Sequence, residues 1–237
     1  MRLFTLGRKL PALSLDACHA HLAQRHASLV LGCRVFREHC LHYRQNHIQG
    51  EVDLAIGELR PQSDPAYHYC SEFWFEDLEA LGLAYRDPGF LAVLRPDSKL
   101  WSDPLARVSL AAEDAWTTRP QQLPAEDGAV KLLVLNRCST SLGDAAHAQE
   151  RYRGFFDHCL RAACNVVSGQ MDFAQSVVRD DQDVPFRTIS EFWFASAVQA
   201  QAALGSQDCR RLVAQGSLFP AHPGDGMLLW ATEHVVF

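Results

Sequence analysis

One pentapeptide occurs twice in this chain. Ser71-Glu72-Phe73-Trp74-Phe75 returns unchanged as Ser190-Glu191-Phe192-Trp193-Phe194, 119 positions later. Chance identity over five residues that include a tryptophan and two phenylalanines is improbable at this length, and self-similarity at a fixed offset signals a repeated structural unit. The context repeats in the same order. Arg2-Leu3-Phe4-Thr5-Leu6-Gly7-Arg8 matches Lys131-Leu132-Leu133-Val134-Leu135-Asn136-Arg137, and Ala111-Ala112-Glu113-Asp114-Ala115-Trp116 matches Ala231-Thr232-Glu233-His234-Val235-Val236. Tyr43-Arg44-Gln45 matches Phe173-Ala174-Gln175 more weakly. Residues 119–129, with two prolines, a glycine and polar side chains, read as a linker. The chain therefore divides into repeats at 1–118 and 130–237.

Each repeat has the same order of signals. An apolar strand (2–9; 130–138) precedes a helix opening at Ser14 or Ser141, residues able to cap. The first of these helices is expected to run to about Leu31. A strand at 36–48 or 166–178, a loop at 49–65 or 179–184, the aromatic strand, a second helix from Asp77 or Ser196 and a closing strand (106–116; 226–237) complete the unit. The sequence thus predicts an α+β protein of two tandem ferredoxin-like β-α-β-β-α-β units. Helices cover one face of each sheet, and the bare faces require burial. Two copies placing those faces together form a pseudo-dimeric α+β barrel with a cavity suited to a small-molecule ligand.

Composition narrows the function. The net charge of −6 gives no electrostatic footprint for nucleic acid, and no apolar run is long enough to span a membrane. The eight cysteines are scattered without a C-x-x-C pair, which points to reduced, mostly buried thiols and, with no signal-peptide core near Met1, to a cytoplasmic protein. P-loop, dinucleotide-binding and G-x-S-x-G motifs are missing, which disfavours nucleotide-dependent and serine-hydrolase chemistry.

The motifs together resemble the EthD-like family of dimeric α+β barrel proteins. Gln24-Arg25-His26-Ala27-Ser28-Leu29-Val30 resembles the family's His-Ala-x-Leu-Val segment. Tyr43-Arg44-Gln45-Asn46-His47 resembles its Tyr-x-Gln-Asn-His strand, the repeated pentapeptide its Glu-Phe-Trp-Phe strand, and Thr232-Glu233-His234-Val235-Val236 its closing segment. The second repeat departs from the pattern at His158 and at Phe173–Val177, so a single site is expected to lean on the first. The resemblance implies oxidoreductase-type or cofactor-independent isomerase or lyase chemistry on an aromatic or carbonyl compound. Relatives with this barrel bind heme, and one axial histidine would leave no spacing signature. No cofactor is otherwise expected. A homodimer is open beside the pseudo-dimer within one chain.

Seven of the eleven histidines lie within the first 68 residues. Histidine is the commonest general acid or base near neutral pH. His26 and His47 are the acid/base candidates, Tyr43 the hydroxyl orienter, and Glu72 a base or a support for a histidine. His68, Gln45, Trp74, Glu191 and Trp193 are candidate ligand contacts. His19 and His21 read as solvent-exposed helix residues. Glu72 and Glu191, repeated beside a tryptophan, also suit a structural ion pair. His39, His42 and His47 do not make one compact metal site without a bulge, because 42 lies on the opposite strand face. Along 38–47, alternation leaves open which face points inward. A non-catalytic binding protein using the same cavity is the alternative to the enzyme.

Overall fold

The computed structural model describes residues 1–53, 57–117, 129–137, 172–178, 185–186, 188–207, 209–210 and 226–237. Two compact units emerge: Met1–Ile48 with Ser63–Glu113 and Glu233–Phe237, and Gln49–Gln62 with Asp114–Thr232.

In the first unit, β1 (Arg2–Gly7) lies between β4 (Tyr69–Phe75) and the early part of β5 (Val108–Thr117), both antiparallel to it. The early part of β2 (Cys40–Asp53) pairs with the far side of β4. The strand order β2-β4-β1-β5, with helices after β1 and β4, is the ferredoxin-like pattern that the repeat predicts. Helix α1 (Leu15–Ala20) starts at Ser14, whose Oγ accepts from the Ala17 N–H at 3.1 Å. It runs through a π-helical stretch (His21–His26) into α2 (Ala27–Gly32). Asp77 caps α4 (Leu78–Arg86) in the same way, its Oδ1 accepting from Ala80 at 2.8 Å. Each such cap contributes about 1 kcal/mol.

Three sequence expectations change. Residues 36–39 are not strand. Arg34–His39 forms a further helix, α3, because the Phe36 ring packs among Phe73, Phe75, Tyr85 and Phe90. The segment after 48 is not simply a loop, since β2 continues to Asp53 and pairs with β3 (Glu58–Pro61) inside the second unit. After α4 the chain adds a second π-helical stretch (Phe90–Leu94) and α5 (Arg95–Ser98), neither of which the sequence reading anticipated.

Register settles the face of β2. Tyr43, Gln45 and His47 stand opposite Phe73, Ser71 and Tyr69, while His42, Arg44 and Asn46 stand opposite Trp74, Glu72 and Cys70. Tyr43 and Phe73 belong to the core that includes Val30, Phe36 and Leu94 of the helices, so the odd-numbered set faces the helices. The alternation breaks between Cys40 and His42, where the register shifts and Leu41 turns outward. His39, being helical, does not share that face.

Gly7 is required by a close approach. A Cβ there would lie 2.1 Å from the Tyr69 Oη, so glycine lets the Tyr69 ring cross β1 and reach the Ser102 hydroxyl at 2.5 Å.

The second unit repeats the strand plan. β6 (Val130–Asn136) lies between β8 (Thr188–Phe194) and β9 (Gly226–Val235), and β7 (Asp172–Val178) flanks β8. Ser196 caps α6 (Ala197–Leu204), accepting from the Gln199 N–H at 3.2 Å. The helix expected from Ser141, together with His158, lies outside the described residues.

Candidate active site

The first unit holds a partly open cavity of about 90 Å³ between its sheet and its helices. The sheet supplies Thr5, Tyr69, Ser71, Phe73 and Ser109. The helical side supplies His26, Phe36, Tyr85, Phe90, Leu94 and Trp101, and Arg107 stands just before β5. Both π-helical stretches reach the cavity, through His26 and through Phe90 and Leu94. Such stretches re-aim side chains and occur often at functional sites.

His26 is the one histidine of this lining. Its Nδ1 lies 2.9 Å from Asp97 Oδ2, and both side chains are buried. Asp97 is held further: its Oδ1 accepts from Arg25 Nε at 3.1 Å, and His21 Nε2 lies 3.1 and 3.2 Å from its two oxygens. Burial pushes the Asp97 carboxyl up, but the hydrogen bonds from His26 and His21 outweigh it and hold the group below its ordinary value. An ionised Asp97 accepts only, so the His26 proton sits on Nδ1, leaving the Nε2 lone pair as the basic atom. Burial lowers the His26 pKa, with the Asp97 hydrogen bond opposing, so the imidazole is neutral at pH 7. Trp101 packs edge-on against His26 at 5.2 Å and against Tyr69 at 4.7 Å. Its buried indole N–H has no hydrogen-bond partner among the described residues. A buried donor without an acceptor costs roughly 1–3 kcal/mol, a cost that an oxygen atom of a ligand would relieve.

The other residues singled out from sequence lie elsewhere. His47 is sandwiched between two imidazoles, with ring centroids 4.6 Å from His19 and 4.1 Å from His234. Its Nε2 is 3.3 Å from Gln45 Oε1. Burial, reinforced by the two neighbouring imidazoles, pushes its pKa down to about 2. His19 is buried rather than exposed, its Nε2 2.8 Å from the His68 carbonyl oxygen. Tyr43 is buried against Phe73 with centroids 4.4 Å apart, and its Oη accepts from Gln45 Nε2 at 2.9 Å. Burial raises its pKa. Gln45 also donates to the Leu22 carbonyl at 2.9 Å, tying β2 to the π-helical stretch. His68 has both nitrogens engaged, Nδ1 accepting from the Lys9 N–H at 3.1 Å and Nε2 lying 3.0 Å from Asp64 Oδ1. None of these five residues lines the cavity.

Glu72 sits on the sheet face opposite the helices. It accepts from Arg2 Nη2 at 2.7 Å and from Asn46 Nδ2 at 2.5 Å. The Arg2 guanidinium lies 4.6 Å from the Trp74 ring centroid. The second unit holds the same construction: Lys131 Nζ is 2.5 Å from Glu191 and 4.7 Å from the Trp193 ring. A fully buried cation between a carboxylate and an indole face is thus what the repeated Glu-Phe-Trp encodes.

Sequence reasoning missed Asp97, Trp101 and Arg107. No motif marks them. They follow the second helix in a stretch whose folding against His26 has no local signature. Among the described residues, no group of three or more His, Cys, Asp or Glu side chains could hold a metal ion. Nor is any helix there long and apolar enough to cross a membrane. This cavity, at about 90 Å³, is too small for a porphyrin.

Each unit has the α+β, ferredoxin-like strand plan that the repeat predicts. Solved structures share it across nearly the whole chain. A candidate monooxygenase from Lactobacillus acidophilus NCFM matches with a TM-score of 0.56 at 11% identity, over 98% of this chain and 93% of its own. One from Fusobacterium nucleatum matches with a TM-score of 0.59 at 7% identity, over 99% and 93%. A candidate chlorite dismutase matches with a TM-score of 0.53 at 7% identity, over 98% and 94%. The family model of the EthD domain matches residues 10–105, a stretch that includes His26, Asp97 and Trp101. No curated protein matches the sequence.

Proposed function

We propose that the protein is a small-molecule enzyme that abstracts a proton from carbon next to a carbonyl group, with His26 as general base and Asp97 as the positioning residue that sets its tautomer. The observation that carries this reading is the His26–Asp97 pair at 2.9 Å on the wall of a cavity. His26 Nε2 takes the proton, the C–H electron pair becomes the C=C bond of an enolate, and the carbonyl oxygen gains the negative charge. The Trp101 N–H is the donor available to that oxygen. Return of the proton at the same or a neighbouring carbon gives isomerisation; loss of a leaving group gives a lyase. A second reading takes its motive from the monooxygenase names among the fold neighbours. There the enolate carbon gives its electron pair to dioxygen, forming a C–O bond as the oxygen is reduced to the peroxide level, and the reaction consumes oxygen.

The test uses phenylacetone in deuterium oxide. The protein is expected to speed methylene exchange, read by proton NMR, and His26→Gln to reduce the acceleration about 100-fold or more. Equal acceleration by the variant would refute His26 as the base. An oxygen electrode run in parallel separates the two readings.

A further inference from the structure

We infer that the substrate of this cavity carries a carboxylate, held by Arg107. The inference rests on the acid–base reading of the same site and names the class of molecule that it acts upon. Arg107 lines the cavity and donates through Nη2 to Ser102 Oγ at 3.1 Å. It forms no ion pair with any described residue. The carboxylate that serves His26 is already answered by a different cation, since Asp97 Oδ1 takes the Arg25 Nε at 3.1 Å. With His26 neutral, Asp97 and Arg25 cancel, and the guanidinium of Arg107 remains as an unbalanced positive charge on the lining. Arg107 is itself solvent-exposed, so this charge stands where the cavity opens to solvent.

The chemistry of the group sharpens the class. Arginine presents a planar fork that matches the two oxygens of a carboxylate. One nitrogen donates to Ser102 and the guanidinium also hydrogen-bonds Tyr69, which leaves part of its five N–H donors for a ligand. Much of the rest of the lining is aromatic, with Phe36 and Phe90 stacked at 5.6 Å and Phe36 edge-on to Phe73 at 5.6 Å. A molecule with an apolar or ring portion, a ketone and a carboxylate meets all three features. A carboxylate next to the ketone would also bring the acidic carbon between the anion site and the His26 base. The cavity is smaller than the about 150 Å³ that encloses benzene, so the ligand fits only in part and its remainder lies at the mouth.

Phenylpyruvate and phenylacetone differ in the carboxylate and share the ring, ketone and acidic methylene. Wild-type protein is expected to bind phenylpyruvate more tightly than phenylacetone, read by calorimetry, with the preference shrinking as salt is raised. Arg107→Gln is expected to weaken phenylpyruvate about tenfold or more, to leave phenylacetone within about twofold, and to keep the melting temperature. Arg107→Lys should recover part of the loss. Equal affinity for the two compounds in the wild type, or an Arg107→Gln variant that binds phenylpyruvate as the wild type does, overturns the inference. The two readings fail separately. His26→Gln should abolish exchange of both compounds and spare phenylpyruvate binding. Retained exchange in that variant sinks the acid–base reading, and retained binding in Arg107→Gln sinks the anion site.

Discussion

Asp97→Asn tests the construction of the site most sharply, because Arg25 and His26 bind different carboxylate oxygens, with His21 Nε2 near both. Oδ1 accepts from Arg25 and Oδ2 pairs with His26. Arginine donates only, so with the asparagine oxygen kept on Arg25 the amide NH₂ faces His26. An NH₂ donor requires a lone pair on His26 Nδ1, which moves the imidazole proton to Nε2. The ring keeps its place but presents N–H to the cavity instead of a base. The expected loss in methylene exchange is a factor of about 100 to 10,000. Stability changes less. Hydrogen bonds to a charged group contribute about 1.5–3 kcal/mol, neutral ones about 1, and the side chain of Arg25 is 64% exposed, so its part is minor. A net cost of about 2 kcal/mol corresponds to a drop in Tm of roughly 4–8 °C for a chain of this length. The assays are deuterium exchange into phenylacetone and a thermal melt. Wild-type exchange with a lowered Tm would reduce Asp97 to a structural anchor and refute the tautomer argument.

Other consequences follow from the surroundings. Gly7→Ala places a Cβ 2.1 Å from Tyr69 Oη and should cost about 1–3 kcal/mol as the ring is displaced; a variant with unchanged denaturation midpoint would show that the ring does not lie across β1. Acid should destabilise the fold through His47, whose pKa falls from 6.5 to about 2 on folding. Below pH 6.5 the unfolded chain binds this proton and the folded one does not, so the contribution is intact above 6.5 and shrinks as pH falls, by about 1.4 kcal/mol per pH unit, or about 2 kcal/mol at pH 5. His47→Phe should lessen that pH slope in urea titrations at pH 7 and 5, and an unaltered slope would count against the buried neutral imidazole. Glu72→Gln removes the carboxylate opposite the buried Arg2 and should cost about 3–5 kcal/mol, whereas a change within about 0.5 kcal/mol would place the pair in solvent.

The duplicated pentapeptide made the architecture readable, because Ser-Glu-Phe-Trp-Phe has strand alternation and recurs with its flanking strands. Ser14, Asp77 and Ser196 announced three helix starts through their capping chemistry. Phe36 misled, since an aromatic next to a β-rich segment reads as strand until its partners Phe73 and Phe90 are known. Within the site, His26 was legible from its motif and His47 equally so, yet only the first reaches the cavity. The difference lies in side-chain direction at the π-helical stretch and in the stacking of His47 on His19 and His234, both tertiary effects. Asp97 and Arg107 were invisible for the same reason. Nothing in Arg95-Pro96-Asp97-Ser98 distinguishes a positioning carboxylate from a solvated one until the fold carries it across to His26.

The most direct test of the whole construction is nitrogen-15 NMR of the His26 ring in the unliganded protein, assigned by loss of its signals in His26→Gln. A neutral imidazole at pH 7 with the proton on Nδ1, titrating only below pH 6.5, is the expected result. A proton on Nε2, or an imidazolium at pH 7, would leave the cavity without its base.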